Sequence, residues 1–158
     1  MRRLTAVAFA IALAAACATK QGTTTQSSLP GHGALSITIV PNPIVAKPAG
    51  GSMYDFPFDV VIRESGGKPV MISRVTTDVY ALGGAVKVAS ESYDSAKIAA
   101  LGYPTTVAAN GELRYHFAPR KSVTDDRLFG GVTGEVVVEG NDSRGTSTTA
   151  RVSVTVTR

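Results

Sequence analysis

Gly134-Glu-Val-Val-Val-Glu-Gly140 and Thr148-Thr-Ala-Arg-Val-Ser-Val-Thr-Val-Thr157 flank the turn Asn141-Asp-Ser-Arg-Gly145. In the second run Val152, Val154 and Val156 fall on one side of an extended chain, with Arg151, Ser153, Thr155 and Thr157 on the other. Successive side chains of a strand point to opposite faces, so the pair reads as a β-hairpin with one buried face.

The same pattern continues upstream. Leu35-Ser-Ile-Thr-Ile39 alternates apolar and small polar residues, and Pro41, Pro43 and Pro48 then place residues 41–48 at a sheet edge or in a connection. Residues 54–64 put Phe56, Phe58, Val60 and Ile62 on one face of a central strand, with Pro57 limiting pairing near its start. Ser65-Gly66-Gly67-Lys68 reads as a hairpin turn, followed by a strand from Pro69 towards Tyr80 with Val70, Ile72, Val75 and Val79 inward. Gly83-Gly84 leads into a short strand over residues 86–89. Residues 92–102 are the one helix candidate, capped by Ser92 or Asp94 and ended by Gly102. Strands over 105–108 and 113–117 flank the turn Ala109-Asn110-Gly111, and residues 118–131 form a long connection. Val and Thr branch at Cβ and suit a pleated surface, while glycine serves turns, so the composition agrees with an all-β fold. About seven short strands separated by turns over residues 34–158 read as a single antiparallel β-sandwich.

Two stretches resemble known modules. The run from Phe56 through Val60, Ile62 and Gly66-Gly67 to Val70 is similar to the B–C hairpin of bacterial Ig-like or fibronectin-III-like extracellular modules. Gly140-Asn-Asp-Ser-Arg-Gly145 with the valines after it resembles their F–G hairpin. The resemblance implies an Ig-like sandwich and carries no activity, since such sandwiches host many functions. The inter-sheet disulfide and buried Trp of antibody domains are missing, because the chain has one cysteine, Cys17, and no Trp.

The N-terminus reads as an export signal. Arg2 and Arg3 precede 13 residues (4–16) that are apolar apart from Thr5, a run spanning about 20 Å as helix against roughly 30 Å of hydrocarbon. Ala14-Ala15-Ala16-Cys17 resembles the lipobox of bacterial lipoprotein precursors, although Ala14 stands where that family prefers Leu. The resemblance implies cleavage before Cys17 and lipidation of its sulfur and new amino group, palmitate being a typical chain. The alternative is an ordinary cut after Ala16 that leaves a thiol. Ala18 lacks the Asp associated with inner-membrane retention, so the resemblance implies the outer membrane if the cell has one. Residues 17–33 then form the lipidated cysteine and a flexible tether, polar enough to stay disordered and spanning about 20–24 Å. His32 within it reads as an isolated side chain.

Composition excludes several function classes. Losing Arg2 and Arg3 lowers the formal charge from +4 to +2, and the remaining charges are scattered, which argues against nucleic acid. The domain's one His, His116, falls on the solvent side of an alternating strand, and no G-x-S-x-G elbow is present, which argues against a hydrolase. Met53 and Met71 with His116 make an improbable copper set, and no cofactor is implied. The weak calcium candidates are Asp125 and Asp126 in the long connection and Asn141 and Asp142 in the last turn, although Asn and Asp also serve tight turns for backbone reasons. Glu135 and Glu139 share one face of a strand and read as solvated. The expectation is a membrane-anchored, non-enzymatic envelope lipoprotein whose domain is a protein-interaction or structural module with an envelope protein as partner. It would act through a sheet edge or through residues 41–48 and 125–131. The alternative is a periplasmic small-ligand or calcium-binding sensor.

Overall fold

In the computed structural model of the protein, residues 24–27 and 29–158 are described. The expected signal segment 1–16, Cys17 and residues 18–23 and 28 of the expected tether lie outside them. The strands are β1 (Thr24–Ser27), β2 (Leu35–Val40), β3 (Ile44–Val45), β4 (Lys47–Pro48), β5 (Met53–Asp55), β6 (Phe58–Glu64) and β7 (Val70–Ala81). After them come β8 (Val86–Asp94), β9 (Thr106–Val107), β10 (Glu112–Phe117), β11 (Arg120–Ser122), β12 (Thr133–Asp142) and β13 (Ser147–Thr157). One helix, α1 (Ser95–Ala100), follows β8.

The fold is all-β and sandwich-like. The larger sheet runs β1-β13-β12-β7-β8, with β3 beside β13 and β9 beside β7. The facing sheet is β10-β6-β2, and a small third sheet, β11-β5-β4, stands beyond the start of β6. Leu35, Ile37, Val60, Ile62 and Tyr115 project from the facing sheet into the core and meet Val70, Ile72, Val75, Val138, Ala150 and Val152 of the larger one. Strand β12 pairs with β13 from Thr133↔Thr155 to Asn141↔Ser147, the hairpin expected from the alternating valines.

Several local expectations are corrected. Residues 54–64 form two strands rather than one, because the chain leaves the ladder at Phe56-Pro57 and β5 joins the third sheet. The Ser65–Lys68 turn and the Ala109–Gly111 turn are crossings between sheets and not hairpins. Strand β6 already has β2 and β10 on its two flanks, so β7 must pair elsewhere, and β9 pairs with β7. Strand β8 continues to Asp94, which shortens the helix to Ser95–Ala100; Asp94 caps it by accepting from the Lys97 N–H. Tyr93 belongs to the strand because its ring packs on Phe117 at 5.1 Å. A bulge at Ser73 interrupts β7, with its hydroxyl bonded to the Glu139 carbonyl, so Ile72 and Val75 both face inward although three positions apart. Val79 is only half-buried.

The tether expectation also changes. Thr24–Ser27 pairs antiparallel with β13, from Thr24↔Val152 to Ser27↔Thr149. The outer edge of β13 offers backbone groups that a polar segment satisfies without burying apolar side chains, a gain that composition does not register.

Core packing carries a direct prediction. Ile62 is fully buried, so Ile62→Ala should cost about 2–5 kcal/mol, read as a lower urea midpoint with an unchanged m-value.

Candidate functional site

Two ends of the sandwich are built on different chemistry. At the end where β6 and β12 terminate, two buried carboxylates collect backbone N–H groups. Glu64 is only 3% exposed. It accepts from Ala34 (3.1 Å), Gly66 (2.6 Å), Gly67 (3.0 Å) and Asn110 (2.8 Å). Asp142 accepts from Gly33 (3.2 Å), Arg144 (2.8 Å) and Thr146 (2.9 Å), and its Oδ2 lies 2.9 Å from His32 Nδ1. The segment His32-Gly33-Ala34 is therefore a strap gripped by both carboxylates. His32 and Gly33, expected in the tether, are part of this grip.

Close approach explains the glycines here. A Cβ on Gly66 would run into the His32 carbonyl and sit 2.9 Å from the Ala34 nitrogen, and one on Gly33 would meet Val70. Burial raises the pKa of Glu64, but its four N–H donors outweigh that and hold it below the ordinary carboxylate range. Asp142 behaves likewise: burial raises it, and the donors from Thr146, His32, Arg144 and Gly33 pull it well below.

The sequence-predicted site residues fall apart in space. Asp125 accepts from the Arg127 N–H at 2.9 Å and so caps a 3-10 turn over Asp126–Phe129. Asn141 accepts from the Ser147 hydroxyl at 2.9 Å, and Asp142 spends its oxygens on the strap and its own turn. The Asn141/Asp142 pair ends β12, and Asp125 and Asp126 lie before its opposite end. Among the described residues no three His, Cys, Asp or Glu gather closely enough to hold a metal. His116 lies on the outer face as expected, with Nδ1 2.7 Å from Asp59, which also accepts from Arg114 at 2.8 Å. His116 first, then Arg114, lowers the pKa of Asp59. Glu135 and Glu139 face outward, Glu135 bonded to Arg151 at 3.1 Å and Glu139 4.0 Å from Arg74.

The opposite end is apolar and open. The strands of the larger sheet outrun β6, and the gap is roofed by β5, β11 and the Asp126–Phe129 turn. Beneath that roof is a cavity of about 410 Å³, within the range of small-molecule sites. Its walls include Phe56, Phe58, Phe129, Val132, Val136 and Val154. Phe129 is fixed against Tyr54 with ring centroids 5.1 Å apart. Both loops singled out from the sequence contribute to it: Ile44 comes from the Pro-rich segment and Phe129 from residues 125–131. Beside it Leu82, Val86 and Val88 are exposed, Val88 at 58% while also lining the cavity.

Sequence reasoning missed Glu64 and the cavity, and it took Asp142 for a calcium candidate rather than a backbone-binding carboxylate. Glu64 keeps the inward phase of Phe58, Val60 and Ile62, and Asp142 keeps the phase of Val136 and Val138, so an acidic residue at an inward position was the available signal. The cavity has no such signal, because it arises from the offset of two sheets.

No family model matches the chain, and no curated protein matches it. Among solved structures it is similar to the Northeast Structural Genomics Consortium target SoR45, at TM-score 0.52 and 10% identity, covering 82% of this chain and 90% of that one. This is a likeness of fold. The putative ApaA protein from Bordetella pertussis superposes more loosely, at TM-score 0.46 and 10% identity over 78% of this chain and 94% of that one.

The carboxylates predict acid sensitivity. Their pKa values are lower folded than unfolded, so their contribution is fully present above the unfolded carboxylate value of about 4 and is lost as pH falls towards the folded values. The melting temperature should drop steadily below that pH, and less steeply in Asp142→Asn. Asp142→Ala should also expose residues 29–34 to limited proteolysis at neutral pH, whereas uncut wild-type and variant chains alike would count against the strap.

Proposed function

We propose that the chain is a non-enzymatic binding module, exported and held at a membrane by a lipid on Cys17, that engages an envelope protein through the cavity end of its sandwich. The observation that carries this is the gathering at one end of the Pro-rich segment, the 125–131 loop and the exposed apolar side chains Leu82, Val86 and Val88. Contiguous exposed apolar surface on a folded domain marks a place where something binds. An Ig-like reading of the sandwich agrees with loops that cluster at its ends.

The sheet edges are less suited to this role. The Tyr103 hydroxyl donates to the His116 carbonyl at 2.8 Å and accepts from the His116 N–H at 3.2 Å, which occupies the outer side of β10. The pairing of edge strand β8 with β7 shifts register between Val79 and Tyr80, which leaves Val88 unpaired, and Lys121 holds Glu91 at 2.7 Å. The cavity itself favours a second reading, a periplasmic small-ligand binder. Calcium gains no support, since Asp142 is committed to N–H donors.

The test is co-purification of the tagged protein from membranes in mild detergent, beside Cys17→Ala and Val88→Glu. The expected result is a stoichiometric protein partner with wild type, depleted with Cys17→Ala and lost with Val88→Glu. Equal capture by wild type and Val88→Glu would remove the cavity end from the account.

A further inference from the structure

The direction of β1 says which end of the sandwich lies towards Cys17. Strand β1 runs antiparallel to β13, with Thr24 opposite Val152 and Ser27 opposite Thr149. It therefore starts on the cavity side and runs towards the Asp142 turn. The seven peptide units between Cys17 and Thr24 span at most about 25 Å in any conformation.

The cavity end is within that reach. Thr133 pairs with both Thr155 and Tyr80, and Tyr80 pairs with Lys87, which makes one row across the larger sheet. Val86 stands one row further out, opposite Ala81, and Val45 stands at a similar level on the other corner, opposite Thr157. From Val152 to Thr157 is about 17 Å along the strand, on the side where β1 begins. To set the opposite end on a membrane, the chain would have to double back to Ser147 and past the turn after β12. That path takes about 17 Å plus the reversal, most of the available length.

The side chains at the cavity end suit lipid. Leu82 is 74% exposed, Val86 46% and Val45 42%. Leu82 also holds a positive φ of 53°, directly before Gly83-Gly84. Left-handed backbone is costly for a bulky residue, and with its side chain in solvent Leu82 recovers little within the domain. Charge gives this end little net pull. Asp55, Asp78 and Glu91 each lie 2.7 Å from a cation, on Arg120, Lys87 and Lys121 respectively. The two apolar corners are four strand spacings apart, roughly 19 Å.

We propose that the domain stands on the membrane with its cavity end down, Leu82 and Val86 at one corner and Val45 at the other lying in the lipid interface. The lipid on Cys17 supplies the attachment, and the two corners fix the tilt. This rests on the anchor proposed at Cys17 and goes beyond the docking function: a protein that engages the cavity has to reach it along the membrane surface.

The chain has no Trp, so a single introduced Trp reports its own surroundings. Leu82→Trp, Val45→Trp and Arg144→Trp, the last in the turn after β12, would be purified from membranes as lipidated chains. Each would be reconstituted in phosphatidylcholine vesicles made with and without a dibrominated analogue, its folding checked by melting temperature. An apolar side chain in the interface lies within reach of the bromines, so Leu82→Trp and Val45→Trp should each lose about half of their emission or more. Arg144→Trp should lose none. Quenching of Arg144→Trp in place of the other two, equal quenching of all three, or no quenching in chains that float with the vesicles would each overturn the proposal. A blue-shifted but unquenched Leu82→Trp would do the same and assign that corner to a second copy. Chains that fail to float would remove the Cys17 anchor itself, and this proposal with it. Unquenched chains that float and still capture a protein partner would overturn the proposal and leave the docking function standing.

Discussion

One carboxylate holds together the places where the chain passes from sheet to sheet. Glu64 accepts N–H groups from the strap at Ala34, from the β6–β7 crossing at Gly66 and Gly67, and from the β9–β10 crossing at Asn110. A sandwich is stable only if its two sheets are held face to face, and the crossings are where backbone donors lose their ladder partners. Buried without a partner, each such donor would cost about 1–3 kcal/mol. An ionised carboxylate satisfies four of them at once, and Asp142 does the same for the last hairpin and the other side of the strap. The core then packs between sheets whose relative position is already set.

The other end lacks such a device, and the difference gives the molecule its polarity. Strand β6 stops at Phe58 while β7, β12 and β13 run on, so the larger sheet has inward-facing residues with no opposite strand. The small third sheet and the Asp126–Phe129 turn cover them without filling the space. A well-anchored end and a hollow end follow from strands of unequal length. That division is what the functional reading uses: the carboxylates maintain the frame, and the cavity offers a surface for binding.

The fold class was legible because alternation is local. Val152, Val154 and Val156, or Leu35, Ile37 and Ile39, declare a buried face without reference to any other residue. The partners of a strand are not local, which is why the turns at Ser65–Lys68 and Ala109–Gly111 read as hairpins. Gly67 and Asn110 have positive φ in the structure, and such residues serve a crossing as well as a hairpin. Strand β1 was hidden for a different reason, because its pairing with β13 is made by backbone and leaves no trace in side-chain pattern. Of the cavity end, the Pro-rich segment and the 125–131 loop were legible as breaks in alternation. Their convergence on Phe56, Phe58 and Val136 was not, since it depends on how far one sheet overhangs another.

The hydroxyl of Tyr103 has a consequence beyond this one molecule. It occupies both the N–H and the carbonyl of His116, near the C-terminal end of β10, on the side where an incoming strand would pair. An unguarded edge is a template for self-association, and that hazard grows with local concentration. A single tyrosine turned back on the strand takes one pairing position of that edge out of reach of a second copy.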